Sequence, residues 1–251
     1  MAVTAMPKSR MSEAERQTRV ELAACYRLVD LFGWSDLINT RITARLPGQR
    51  DHFLINPYGL LYEEVTASSL VKVDAEGNDV EPSAHPVNRG GLAIPVAIHQ
   101  ARPEIACVIH THSVAGCAVS MQKPGLLPLN QHALAVVGDT AYHDYAGGGR
   151  SGDEIRRFLA ELGDRHIIVL RNHGLIIVGE TIGDAFVSTY RMERACAMQL
   201  QFQQSGAEFN PINQSIVAAA YGKRRSGDEI ARLEWTALLR KLDRIDPSYK
   251  E

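Results

Sequence analysis

Residues 105–110, Ile-Ala-Cys-Val-Ile-His, read as a strongly apolar strand, and the chain continues directly into Thr111-His112. A strand this apolar needs a sheet with helices covering it. Residues two apart on a strand share a face, so His110 and His112 present two imidazoles to one point, an arrangement suited to a divalent metal. His-x-His alone fits two hydrogen-bonded histidines at a strand end about as well. A third candidate is His173, in the tight Asn172-His173-Gly174 turn between two further apolar segments, 167–170 and 175–178. Gly174 supplies backbone freedom there. Three imidazoles around an otherwise open ion match a catalytic site rather than a closed structural one.

The elements around this strand predict one α/β domain. Ser12 and Glu15 form a capping-box pattern that opens a helix running toward Leu31, with Val20, Ala24, Leu28 and Leu31 on one face. Alternation over residues 38–44 predicts a strand, with Ile38, Thr40, Ile42 and Ala44 on one side and Asn39, Arg41 and Thr43 on the other. Strands are expected at 52–55 and 70–73, and helices at 92–101, 114–121 and 181–205. Ser151 with Glu154, and Ser226 with Glu229, cap two more helices. An N-terminal tail, residues 1–19, is expected ahead of a single domain over 20–251.

Composition narrows the function classes. The 251 residues carry 27 basic and 29 acidic side chains, a net charge of -2, which leaves no electrostatic footprint for nucleic acid or an anionic membrane. No apolar run approaches a bilayer span, and the N-terminus has no apolar signal core. Four widely spaced cysteines, Cys25, Cys107, Cys117 and Cys196, contain no CxxC pair, so a disulfide framework is not expected and a reducing cytoplasm fits. Among the remaining histidines, His52 and His166 read as surface residues at strand starts, His85 as a loop residue and His99 as a packed helical one.

The chain resembles the class II aldolase/adducin superfamily, nearest to its adducin-like bacterial branch. The resemblance rests on Arg-Pro-Glu-Ile-Ala-Cys-Val-Ile-His-Thr-His-Ser (102–113), Gly-Leu-Leu-Pro-Leu (125–129), Ala-Tyr-His-Asp-Tyr (141–145) and Leu-Arg-Asn-His-Gly-Leu (170–175). Gly-Trp-Ser-Asp-Leu-Ile (33–38) and Asn-Pro-Tyr-Gly-Leu-Leu (56–61) add to it. It implies a three-layer α/β/α fold with a central, largely antiparallel sheet. It also implies a homotetramer with active sites between subunits, and a divalent metal on His110, His112 and His173, zinc first, with manganese or iron as alternatives. Trp235, Arg240 and Tyr249 are C-terminal residues able to reach a neighbouring subunit.

Departures from the aldolase pattern bear on the substrate. The aldolase Glu that moves a proton falls at Gly91, and Asn88-Arg89-Gly90 stands where the aldolases carry their phosphate loop, so a non-phosphorylated substrate is expected. Pro95 replaces a His common in the branch. Arg89 and Tyr142 are substrate-binding candidates, Arg89 by pairing with a carboxylate, and Gly91 marks a gap beside the metal. The aldolase Tyr that acts as an acid from the neighbouring subunit falls at His132, a group able to move a proton near neutral pH. Three readings follow. The first is a metal-dependent lyase acting on a carbon–carbon bond beside a carbonyl, of aldolase or decarboxylase type, on a small carboxylate-bearing molecule. The second is a non-haem Fe(II) oxygenase on the same histidines. The third is a non-catalytic assembly protein like adducin itself.

Overall fold

The computed structural model describes residues 11–145, 151–222 and 229–251. In chain order the elements are α1 (Glu13–Leu31), β1 (Arg41–Arg45), β2 (Phe53–Ile55), β3 (Val71–Val73), α2 (Ala93–Ala101), β4 (Cys107–Thr111), α3 (Val114–Ser120) and α4 (Gln131–Val136). They continue as β5 (Thr140–His143), α5 (Gly152–Leu162), β6 (Ile167–Leu170), β7 (Gly174–Gly179), α6 (Ile182–Ser205), α7 (Gln214–Tyr221) and α8 (Glu229–Ile245). The strands form one sheet in the order β3-β2-β1-β4-β7-β6-β5, in which every neighbouring pair is antiparallel except the parallel β5–β6.

Strict alternation along the central strands creates two cores. Val108 of β4, Ile168 and Leu170 of β6 and Ile176 and Val178 of β7 face α2 and α5, where they bury Ile98, Phe158 and Leu162. Ile167, Val169, Leu175 and Ile177 face the other way, against Val119 of α3, Ala133 and Val136 of α4 and Met192, Ala195 and Cys196 of α6. Cys107 and Ile109 join that second side, in a cluster with α1, Phe186 and Trp235. The result is the three-layer α/β/α arrangement around a largely antiparallel sheet. His110 alternates with Ile109, so its ring lies on the α2/α5 side.

Several local expectations move. The strand expected from Ile38 begins at Arg41, because Leu37 (φ 49°) and Thr40 (φ 65°) sit in the left-handed region and fold residues 36–40 into a turn closed by an Asp36–Asn39 bridge. Strand β5 and helices α4 and α7 carry short or weak patterns and emerge only with partners to pack on, β6 for β5, α6 for α4, and α4 for α7. Ser226 and residues 1–10 of the expected tail lie outside the described residues. The packed unit begins before residue 20. Ser12 caps α1 by accepting the Glu15 N–H at 3.1 Å, but the Glu15 carboxylate turns inward to Arg19 and Lys72 instead of closing the capping box. Arg19 is 3% exposed, donates to the Leu70 carbonyl at 2.8 Å, and pairs with Glu15 and Glu81.

This buried network ties α1 to the edge of β3, and removing Arg19 leaves the buried Glu15 carboxylate with Lys72 alone and the Leu70 carbonyl without its donor. Arg19→Ala is expected to destabilise the fold by about 3 kcal/mol or more. Denaturant unfolding followed by circular dichroism measures it; a change within about 0.5 kcal/mol would show that the Arg19 network does not anchor α1.

Candidate metal centre

Three elements deliver the histidines. His110 is the fourth residue of β4, His112 lies just beyond that strand's end, and His173 occupies the β6–β7 turn. The turn is set by Asn172, whose φ of 58° places it in the left-handed region that short polar residues tolerate. Gly174 has a different job from the conformational freedom expected of it. A Cβ there would stand 2.4 Å from the Thr111 carbonyl oxygen and 3.1 Å from the His112 ring. Glycine therefore lets β7 close directly onto the end of β4, which presses the turn against His112.

The ring centroids stand 4.7 Å (His110–His112), 5.1 Å (His110–His173) and 4.9 Å (His112–His173) apart. One ligand-type atom from each lies within 4.8 Å of the others, an arrangement in which three imidazoles can share one divalent ion. The outer nitrogens of His110 and His112 are already engaged. His110 Nδ1 donates to the Leu175 carbonyl at 2.9 Å, and His112 Nδ1 donates to Asp36 Oδ2 at 2.9 Å, which leaves both Nε2 lone pairs facing inward. His173 Nε2 approaches His112 Nε2 at 2.9 Å. A carboxylate behind a ligating imidazole fixes its tautomer and raises its basicity. The left-handed turn at residues 36–40 is what carries Asp36 to that position. Burial, then the neighbouring His112, holds His110 well below the usual histidine range. Burial, His112 and Arg41 also lower His173. Both are thereby kept in the neutral form that ligates metal.

The histidines open into a pocket of about 230 Å³ on the α2/α5 side, walled by Arg41, Gly91, Pro95, His143, Glu154 and Arg171. Arg89 is not part of that wall: it is exposed, and its stem covers Gly77. Arg41 and Arg171 line the pocket, but the Arg171 guanidinium is turned to the Gln122 and Lys123 carbonyls and to Asp144. Tyr142 is also displaced from its expected role. On β5 it points to the α6 side, accepts the Leu126 N–H at 3.0 Å, and supports the Arg171 guanidinium 4.7 Å above its ring. Its neighbour His143 takes the pocket side instead, with Nδ1 2.5 Å from Glu161 and Nε2 2.6 Å from Glu154. Tyr145 follows, its ring 6.3 Å from that of His173. His143 was legible only as part of the Ala-Tyr-His-Asp-Tyr stretch; its partners seven residues apart on α5 are a tertiary matter. His132 sits half-buried on α4, which packs on α6 across the sheet from the pocket. His99 is buried against Phe53, bonded to Thr43 and the Ile105 carbonyl.

The class II aldolase and adducin N-terminal domain family matches residues 20–200. The chain belongs to this family. It is 46% identical to a Pseudomonas aeruginosa protein provisionally assigned as a class 2 aldolase, across 100% of this chain and 99% of that one. It is 40% identical to mouse alpha-adducin over 93% of this chain but only 34% of the adducin. Among solved structures, an aldolase II superfamily protein from Pseudomonas syringae superposes with a TM-score of 0.91 at 41% identity, covering 97% of this chain and 99% of that one. L-fuculose 1-phosphate aldolase from Glaciozyma antarctica gives 0.81 at 27% identity, with 99% and 97% covered.

In this class II aldolase/adducin domain the His-x-His segment is also held from behind. Ser113 caps α3 through its Oγ, and the same hydroxyl donates to Glu193 of α6 at 2.6 Å; Thr111 donates to it at 3.4 Å. Burial pushes the Glu193 carboxyl up to about 7, against the opposing effect of those two hydroxyls. The folded protein thus holds this proton more tightly than the unfolded chain, whose carboxyl titrates near 4.5. The resulting stability is fully present below pH 4.5 and is lost as pH rises through 7, by about 3 kcal/mol in all. Glu193→Gln, which keeps the neutral form at every pH, is expected to flatten that decline in unfolding free energy between pH 4.5 and 7.5; an unaltered slope would show that Glu193 does not carry it.

Proposed function

We propose that this protein is a divalent-metal-dependent lyase acting on a carbon–carbon bond beside a carbonyl in a small, non-phosphorylated, carboxylate-bearing molecule. The observation that carries the reading is the convergence of His110, His112 and His173 in a pocket that also holds Arg41 and Arg171. Assembly alone, the adducin-like alternative, places no demand on three converging imidazoles, two of them with braced outer nitrogens. A bound ion, zinc before manganese or iron, would supply Lewis-acid stabilisation of the negative charge that develops on an oxygen next to the cleaved bond. Arg41, paired beside His110 across β1 and β4, meets the anionic end of the substrate. Gly91 offers no carboxylate to remove a carbon-bound proton, which favours decarboxylation or retro-aldol cleavage over reactions that begin with proton abstraction at carbon.

The functional particle in this reading is a cytoplasmic homotetramer with sites between subunits. The four cysteines are unbridged, which suits a reducing compartment, and no helix among the described residues is long and apolar enough to cross a membrane. His132 serves a neighbouring copy's pocket, since its own lies across the sheet, and its imidazole returns a proton to the product there.

The test joins metal content with turnover. Protein purified anaerobically is expected to retain one divalent ion per chain, and a screen of 2-oxo and hydroxy-aromatic carboxylic acids is expected to release carbon dioxide or an aldol fragment without consuming oxygen. His132→Gln should then lower turnover by about 10²–10⁴-fold with metal content unchanged. Oxygen consumption with iron bound would replace the lyase by the oxygenase, and a metal-free, inert protein would leave the assembly role.

A further inference from the structure

Strand pairing decides what lies beside the histidines on the side away from β1. In antiparallel pairs, opposed residues send their side chains to the same face, with Cβ atoms about 4.5–5.5 Å apart. Ile176 of β7 stands opposite His110 of β4, and Ile168 of β6 stands opposite Ile176. Ala141 of β5, paired with Ile168, continues the row. From His110 toward β5 this row of the sheet face is therefore hydrocarbon. Leu170, opposite Gly174, lines the same pocket, and Ile94 and Pro95 of α2 face it from above. The polar side chains on this side are already committed. His143 is held by Glu154 and Glu161, Glu154 also by Arg157, and Arg171 is turned to the Gln122 and Lys123 carbonyls and to Asp144. Tyr145 brings the one side-chain hydroxyl among the described residues of the wall, and it is 60% exposed.

We propose that the molecule taken at the three-histidine centre carries an apolar body, branched or aromatic, seated on Ile176, Leu170 and Ile94, in the place where a sugar would carry its hydroxyls. The proposal rests on the reading of His110, His112 and His173 as a metal centre. A polyol chain laid over this wall would give up its hydrogen bonds to water with no side chain to replace them, whereas a hydrocarbon group gains by leaving water there. An apolar cavity of about 150 Å³ holds benzene, so a pocket of about 230 Å³ has room for a phenyl group and a short chelating head. The register fixes the orientation: the chelating oxygens lie at the histidines, and the body runs from Ile176 toward Leu170 and β5.

Hydroxamates put one chelating head on different bodies and serve as the probes, benzohydroxamate and isobutyrohydroxamate for the apolar class and glycerohydroxamate for the polyol class. Each is titrated calorimetrically into zinc-loaded protein and corrected for its affinity for free zinc, with zinc content and thermal unfolding measured for each variant. Wild-type protein is expected to bind the better apolar probe at least about tenfold more tightly than glycerohydroxamate. Ile176→Thr keeps the branched shape and places a hydroxyl in the wall, and is expected to shrink that preference at least about threefold with zinc retained. Ile94→Ser should act in the same direction from α2, at a half-buried position, and carries the comparison if Ile176→Thr fails to fold. Zinc bound with glycerohydroxamate at least as tight as both apolar probes, or a preference that neither variant alters, would overturn the apolar seat and leave the metal centre standing. A wild-type protein that retains no zinc would remove both.

Discussion

β4 and β7 pair antiparallel from Cys107 opposite Gly179 to Thr111 opposite Leu175, and the histidine centre depends on that register. It sets the Leu175 carbonyl at His110 Nδ1 and brings the β6–β7 turn over the end of β4. A shift of one residue would send His110 to the α6 side and replace it with a hydrophobic neighbour. Gly174 makes the closest part of the pairing possible, because any Cβ would meet the Thr111 carbonyl. The apolar residues that alternate with His110 along β4 fix the same register from below, so the driving force for the core and the placement of the ligands are one constraint.

The two faces of the sheet divide the labour. On the α6 side, Glu193, Ser113 and Thr111 hold the back of the His-x-His segment in a buried, protonatable network. On the α2/α5 side the histidines meet Arg41, and His143 is gripped by two carboxylates of α5. Tyr142 and His143 are adjacent in sequence and separated by the sheet, so one residue of phase decides which of them touches the pocket. Tyr142 still contributes, through the guanidinium of Arg171 that it supports from the far side.

The charge of the pocket separates this chain from the aldolase pattern that it resembles. A side chain at position 91 would meet the Arg41 guanidinium, which glycine there leaves room for, so the wall carries a permanent cation at that point. Family membership sets the scaffold and the likeness of the histidine motif; which small molecule the site takes follows from local substitutions of this kind. The alpha-adducin match makes the same point from the other side, since 40% identity over 93% of this chain joins it to a protein nearly three times its length.

Local pattern alone identified the apolar strand before His110, the α1 and α5 helices with their Ser caps, the α6 helix and the His173 turn, because periodicity and capping are properties of neighbouring residues. The His110–His112 pair was readable for the same reason: two residues on one strand face need no tertiary information. The start of β1 was misplaced because left-handed φ at Leu37 and Thr40 is imposed by the turn that carries Asp36 to His112, against the preference of both side chains. Arg89 and Tyr142 were plausible from sequence position, but their side chains lie outside the wall of this chain's pocket, a matter of direction that only the pairing of the sheet decides. Arg41 could be recognised only once β1 lay beside β4 and the empty side of Gly91 faced it, a contact between residues fifty positions apart that packing, and not any local preference, brings together.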